Sequence, residues 1–218
     1  MTVYPLDAEG VWCQTFPGCA RGRAALFVDR DGVVVEEIGY LHRSEDVVLC
    51  AGAAAVIATA NARSIPVVLV TNQAGVGRGY YGWREFGAVQ RTIESALARE
   101  GAHVDAVYAC PHHPDGSGAF AHPNHPARKP NPGMLQRAAT ALAIDLAGSW
   151  LIGDRANDIE TAKRAGLAGA LLVPTGYGAS EAAAALALRD PTFDVRVARS
   201  IEDTLALPIF AGQRFGAP

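Results

Sequence analysis

Phe27-Val28-Asp29-Arg30-Asp31-Gly32-Val33 is the stretch that decides the fold. The residues leading into it, Ala24 to Val28, carry no polar side chain, as a strand buried on both faces does, and the run breaks off into charge. Near the end of an extended segment residues i and i+2 project to the same side, so Asp29 and Asp31 are expected to share one small volume while Arg30 points away. Two carboxylates held that close repel each other, and a divalent cation removes the conflict. Gly32 lets the backbone turn sharply directly afterwards. Taken alone, Asp29 to Gly32 reads equally well as a surface turn, since Asp and Gly are common turn formers.

The rest of the chain repeats the arrangement. Pro66 to Val70 is a second apolar run, ending in Thr71-Asn72-Gln73 and followed by Gly75, Gly77 and Gly79. Val104 to Ala109 is a third, followed by a long loop, Cys110 to Pro130, rich in His, Pro and Gly; a loop of that length inside a compact domain is usually functional. Trp150 to Ile152 ends in Gly153-Asp154, and Ala170 to Val173 makes a fifth strand. Helices fall between. Gly52 to Arg63 is Ala-rich, and Trp83 to Glu100 places Phe86, Val89, Ile93 and Leu97 on one face. Asn131 as N-cap with Pro132 in the first turn opens a helix whose inward stripe is Leu135, Ala138 and Leu142. Asn157 and Glu160 have the spacing of a capping pair for a helix ending near Gly166. An Ala-rich helix near 180 to 188, an edge strand at Phe193 to Val197 and a helical turn at Ile201 to Leu205 complete the chain.

Alternating strands and helices imply an α/β fold, a doubly wound Rossmann-like parallel sheet, in which ligands gather beyond the carboxyl ends of the strands. Every polar cluster lies at such an end. At 218 residues, half of them hydrophobic, the chain suits a single domain over 24–218, preceded at 1–23 by an irregular extension whose aromatics cover an edge. A net charge of −3 gives no basic footprint for nucleic acid. Cys13, Cys19, Cys50 and Cys110 lack a paired spacing and read as reduced thiols. No stretch is apolar enough to span a membrane and no signal peptide opens the chain, so a cytoplasmic, monomeric protein is expected. The stretch from Val34 to Leu49 is long enough for a flap but too short for a cap domain.

Two carboxylates, a hydroxyl, a Lys and a further carboxylate at one sheet edge describe metal-assisted phosphoryl transfer. In this reading Asp29 attacks phosphorus and forms an aspartyl phosphate. Asp31 protonates the leaving oxygen and later takes a proton from water. Mg²⁺ binds through Asp29, a main-chain carbonyl at Asp31, and Asp154. Thr71 and Lys129 hold the phosphoryl oxygens. A phospho-accepting receiver switch would carry its acceptor on the third strand and would not need a carboxylate two residues on.

Four motifs resemble those of the haloacid dehalogenase superfamily of phosphatases: Phe27 to Val33, Val70-Thr-Asn-Gln73, Arg128-Lys-Pro-Asn-Pro-Gly-Met134 and Ile152-Gly-Asp-Arg-Ala-Asn-Asp158. Within it, the Thr-Asn-Gln turn, the Cys110-Pro-His-His loop and Arg128-Lys129-Pro130 resemble the histidinol-phosphatase-like subfamily that includes heptose 1,7-bisphosphate 7-phosphatases. The resemblance implies a haloacid dehalogenase fold without a large cap and a small phosphorylated sugar as substrate. Histidinol phosphate or another small metabolite is the alternative, and a non-catalytic phosphosugar-binding protein the alternative of another class. It implies Asp29 as nucleophile, Asp31 as acid and base, Thr71 and Lys129 as phosphoryl stabilisers, and Arg128 in substrate recognition. Glu37, Ile38, Gly39, Tyr40, Asn72, Gln73 and Ala74 match substrate-contacting stretches. Arg155 stands where Lys is usual, and Val33 where many members have Thr. Asp158 suits either a supporting role in the site or a helix-start carboxylate.

In the resembling family a Cys-x-His pair and a Cys-x-Cys pair commonly bind a structural zinc. Here the second pair reads His125-x-Ala127. Cys110, His112, His122 and His125 would make an acceptable tetrahedral set. The expectation is nevertheless a loop ordered without zinc, by proline stiffness and packing.

Overall fold

The computed structural model describes residues 3–18 and 21–211. Seven strands, β1 (Trp12–Thr15), β2 (Leu26–Val28), β3 (Val67–Asn72), β4 (Ala106–Cys110), β5 (Trp150–Gly153), β6 (Gly169–Leu172) and β7 (Asp194–Val197), form one sheet. Their order is β1-β4-β3-β2-β5-β6-β7, and all neighbours are parallel except β1 with β4. The helices are α1 (Ala53–Ala62), α2 (Ala74–Gly77), α3 (Trp83–Arg99), α4 (Gly133–Leu142), α5 (Ala156–Arg164), α6 (Gly178–Leu186) and α7 (Pro208–Ala211).

Strand residues alternate between two cores, which is what a sheet covered on both faces requires. Leu26, Val28, Leu69, Val107 and Ile152 pack with Ile57 of α1 and Phe86 and Ile93 of α3. Phe27, Val68, Val70, Tyr108 and Leu151 pack with Leu135 and Leu142 of α4 and Ile159 of α5. From β2 the chain builds β3 and β4 to one side, then returns to lay β5, β6 and β7 on the other. Strand order therefore reverses at β2, and the crevice this opens lies where Asp29 follows the strand.

Residues 33–52 hold no separate cap. Val33, Val34 and Val35 are buried, Val35 bridges to Leu49, and a single 3-10 turn spans Ser44–Asp46.

Several local expectations are corrected. The lead-in is not wholly irregular: Trp12–Thr15 pairs antiparallel with Ala106–Ala109 and closes that edge of the sheet. Trp12 anchors it, with ring centroids 5.6 Å from Trp83 and 5.0 Å from Phe86. The N-cap of α4 is Pro132 and not Asn131, whose Nδ2 donates instead to Asn124 Oδ1 (2.6 Å) and His125 O (3.0 Å). The start of α5 is closed by Asp158, which accepts from Arg155 N at 3.0 Å, and not by Asn157 with Glu160. Cys13, Cys50 and Cys110 are free thiols; Cys19 lies outside the described residues. Among the described residues no helix is long and apolar enough to cross a membrane.

Candidate active site

The floor of the crevice is a buried charge cluster. Asp29 N donates to Ile152 O at 2.9 Å, which fixes the residue on the strand end. Asp29 Oδ1 accepts from Arg30 N (2.7 Å) and from Lys129 Nζ (2.8 Å). Lys129 Nζ also reaches Asp158 Oδ1 (2.6 Å) and Val70 O (3.1 Å), so its three N–H donors all have protein acceptors. Burial works against the Lys129 charge, but Asp158 and Asp29 outweigh it and hold the ammonium above its usual range. Burial pushes the Asp29 carboxyl up, opposed by Lys129 and reinforced by Asp158 and Asp154.

Asp29, Asp154 and Asp158 each bring a carboxylate oxygen within 4.8 Å of the others. Three carboxylates facing one ammonium leave two negative charges uncompensated, the deficit that a divalent cation fills. Asp154 is built for that task. Its Oδ2 accepts from Tyr177 N at 3.0 Å, while its Oδ1 is buried and without a partner. Burial raises this carboxyl to about 6. Gly32 (φ 81°) and Gly176 (φ 55°) cradle it: a Cβ would lie 2.3 Å from Oδ2 at the first and 2.0 Å at the second.

Asp31 departs from the expectation. The strand ends at Val28, and the N–H groups of Val34 and Val35 fold back to Arg30 O at 2.9 and 3.0 Å, so the i, i+2 rule no longer applies. Arg30 does not point away. Wholly buried, with its guanidinium 5.4 Å from the Phe86 centroid, it grips Asp31 through Nη2 (2.8 and 2.9 Å) and Nε (3.0 Å). Asp158 and not Asp31 therefore completes the carboxylate cluster. Gln73 Nε2 donates to Asp31 Oδ2 (3.0 Å) and Thr71 Oγ1 (2.9 Å), and Tyr81 OH donates to Gln73 Oε1 (2.7 Å). Thr71 Oγ1 is 3.4 Å from Asp31 Oδ2. Gln73, expected to contact substrate, lines the crevice but is only 2% exposed, and its amide holds Asp31.

A cleft of about 340 Å³ opens above this floor. Glu37, Gly39, Tyr40, Ala74 and Arg128 border it as expected candidates, whereas Ile38 is half exposed and is not in its wall. Asn72 borders it too, but its Oδ1 accepts from Lys129 N (3.0 Å) and its Nδ2 donates to Lys129 O (3.1 Å), clamping the backbone that carries the Lys. Arg128 Nη1 donates to His112 O at 3.0 Å. Glu37 Oε1 accepts from Gly39 N at 2.6 Å, and burial raises the Glu37 carboxyl.

Tyr81, His113, Asn157 and Tyr177 also border the cleft, and sequence reasoning did not assign them to the site. Tyr177 was within reach of the rule that found the others, since Thr175-Gly176-Tyr177 follows the carboxyl end of β6. Arg155 lies 3.5 Å from the Tyr177 ring centroid and 3.9 Å from Glu37.

The His-rich loop packs on the N-terminal segment. His112 Nε2 hydrogen-bonds Glu9 O (2.8 Å), His125 Nε2 lies 3.6 Å from the Glu9 carboxylate, and Arg137 of α4 pairs with Asp7 (2.9 Å) and Glu9. The His112 and His125 rings stack at 3.6 Å with planes 4° apart, and His122 stands edge-on to His125. Burial pushes the Cys110 thiol up to about 12. Among the described residues Cys110, His112, His122 and His125 do not draw their ligand atoms into one group.

Comparison with known proteins places the chain among phosphatases. The HAD-hydrolase-like family matches residues 126–204. A D-glycero-beta-D-manno-heptose-1,7-bisphosphate 7-phosphatase of Mesorhizobium japonicum is 45% identical over 79% of this chain and 80% of its own. A D-glycero-alpha-D-manno-heptose-1,7-bisphosphate 7-phosphatase of Burkholderia mallei is 40% identical over 68% and 79%. Among solved structures, a HAD-like phosphatase of Mesorhizobium loti superposes with a TM-score of 0.88 at 39% identity, covering 99% of this chain and all of that one. The D,D-heptose 1,7-bisphosphate phosphatase of B. bronchiseptica, complexed with magnesium and phosphate, gives 0.71 at 32% identity over 84% and 98%.

Proposed function

The chain belongs to the heptose-bisphosphate phosphatase family of haloacid dehalogenase-like hydrolases, and from that premise we propose that it removes the 7-phosphate of a D-glycero-D-manno-heptose 1,7-bisphosphate through an aspartyl phosphate on Asp29. The observation that carries this reading is the buried floor, where one carboxylate at the strand end is held by an ammonium beside an unpartnered carboxylate oxygen.

Asp29 Oδ1 is tied to Arg30 N and Lys129, which leaves Oδ2 as the attacking oxygen. As the new bond forms, negative charge moves from the carboxylate to the phosphoryl oxygens, and Lys129 follows it by exchanging one acceptor for another. Thr71 Oγ1 lies beside the same path. Asp31, entering the step protonated, gives its proton to the leaving oxygen and recovers one from the water that hydrolyses the acyl phosphate. Asp29, Asp154 and the Asp31 main-chain carbonyl would hold Mg²⁺, which when bound neutralises the floor and the phosphoryl charge. Arg128 recognises the second anionic group at the mouth.

Zinc has no part in this reading. His122 Nδ1 and His125 Nδ1 each accept a backbone N–H at 3.1 Å, and His112 Nε2 donates to Glu9 O, which leaves its buried Nδ1 without a partner. Glu9, Arg137 and ring stacking hold the loop.

Phosphate release from heptose 1,7-bisphosphate, histidinol phosphate and p-nitrophenyl phosphate, each with and without Mg²⁺, tests the proposal. The bisphosphate should be turned over best, and only with the metal. Asp29→Asn should be folded and inert. Substantial turnover by that variant removes Asp29 as nucleophile, and a preference for histidinol phosphate overturns the substrate.

A further inference from the structure

Behind the wall of the cleft stands a cation that the chemistry at its floor does not use. Arg78 directly follows α2. Its Nη1 donates to the Tyr40 hydroxyl (2.8 Å) and its Nη2 to Asp115 Oδ2 (3.0 Å). Nη2 also lies 3.2 Å from Nε2 and 3.4 Å from Nδ1 of His113, near-equal distances that set it against the ring rather than along one lone pair. Arg78 Nε is buried and has no partner. The flap, the end of α2 and the His-rich loop thus meet on one side chain. The loop is pinned beside it, since Ser117 N and Oγ both donate to Gly77 O at 2.8 and 3.1 Å.

His113 Nδ1 accepts from Asp115 N at 3.0 Å. A neutral imidazole used that way carries its proton on Nε2 and is a donor there. Burial, then the charges of Arg128 and Arg78, hold His113 below the usual imidazole range. Two guanidinium groups and a donor imidazole lie close together here, and the carboxylate in contact with Arg78 and His113, Asp115, is 76% exposed. Such a set draws an anion, and the wall of the cleft includes both His113 and Arg128.

We propose that Arg128 and His113 seat the phosphate that is not hydrolysed, and that Arg78 is the positioning residue that holds His113 and Tyr40 for it. This rests on the bisphosphate reading above. Arg78 lies behind Tyr40 and His113, and acts through them.

The test compares Arg78→Ala and His113→Phe with the unaltered protein on heptose 1,7-bisphosphate and p-nitrophenyl phosphate, with Mg²⁺. His113→Phe keeps a flat ring for Arg78 and loses only the donor. Each variant should raise KM for the bisphosphate about tenfold, the worth of one charge-assisted hydrogen bond, with a much smaller change in kcat. The loss in kcat/KM on the aryl phosphate should be several times smaller. Equal losses on both substrates, or a lower kcat at unchanged KM, overturn the proposal. If the unaltered protein itself shows no advantage for the bisphosphate, the substrate reading has failed before any variant is compared, and the seat falls with it.

Discussion

At the floor of the cleft Asp29, Lys129, Asp154 and Asp158 are at most 7% exposed; the three carboxylates are fixed by the end of a strand or the start of a helix, and Lys129 by the Asn72 clamp. At the mouth, Tyr40 is 42% and the Arg155 side chain 43% exposed; Tyr40 lies on the flap, and the Arg155 side chain reaches out from the start of α5 over Tyr177. The difference is one of dielectric. A charge at the floor interacts at close range with little water to screen it, so removing one group leaves its partners costly. A charge at the mouth is solvated, and its removal costs little stability while changing which anion is welcome. The floor therefore governs whether a bond is broken, and the mouth governs whose.

Lys129→Met breaks the floor most severely. It strands Asp29 and Asp158 side by side, which should lower stability by about 3–5 kcal/mol. Turnover should fall about 10²–10³-fold, as when one transition-state donor is lost. Lys129→Met combined with Asp158→Asn sharpens the comparison. Urea denaturation should recover much of the stability, since one of the stranded charges is gone, whereas phosphate release should stay low. Recovery of turnover in the double variant would mean that Lys129 only balances charge.

Tyr81→Phe probes the layer between floor and mouth. It leaves Gln73 Oε1 without its 2.7 Å donor, so the amide that steadies Asp31 and Thr71 is free to turn. A fall in kcat of about tenfold with KM unchanged is expected, at a stability cost of about 1 kcal/mol. An unchanged kcat would show that Arg30 alone suffices to hold Asp31.

The sequence exposed the floor far better than the mouth. Buried parallel strands need unbroken apolar runs, so the places where Val28, Val70 and Ile152 give way to polar residues mark the strand ends, and strand ends are where ligands gather. Arg30 was misread because the strand geometry assumed for it stops at Val28. The four residues of β1 are too few to display a period; their pairing depends on the open edge of β4. The roles of Gln73 and Arg78 depend on what Tyr81, Tyr40 and His113 do across a turn or a loop, which spacing along the chain does not encode.

Farthest from the chemistry, the stacked pair His112 and His125 should affect stability and leave turnover nearly untouched. Burial, then the neighbouring His112, pushes His125 down to about 4, against about 6.5 in an unfolded chain. Between those values the folded protein binds fewer protons than the unfolded one. The contribution is therefore complete above about pH 6.5 and is lost as pH falls toward 4, by up to about 3 kcal/mol. Asp154 runs the other way in metal-free protein. Its carboxyl is raised to about 6, so it costs stability as pH climbs from about 4 to 6. The two slopes oppose each other over nearly the same window, and denaturation of the unaltered protein alone would display only their difference. His125→Phe separates them, because it keeps a ring against His112 and removes the titration. In chelator, its stability between pH 6.5 and 4 should improve relative to the unaltered protein as pH falls, while phosphate release measured with Mg²⁺ at pH 7.5 stays within about twofold, a change too small to mark a lost transition-state contact. Parallel pH curves for the two proteins would mean that the stack tolerates a proton, and that the loop is held by Glu9 and Arg137 instead.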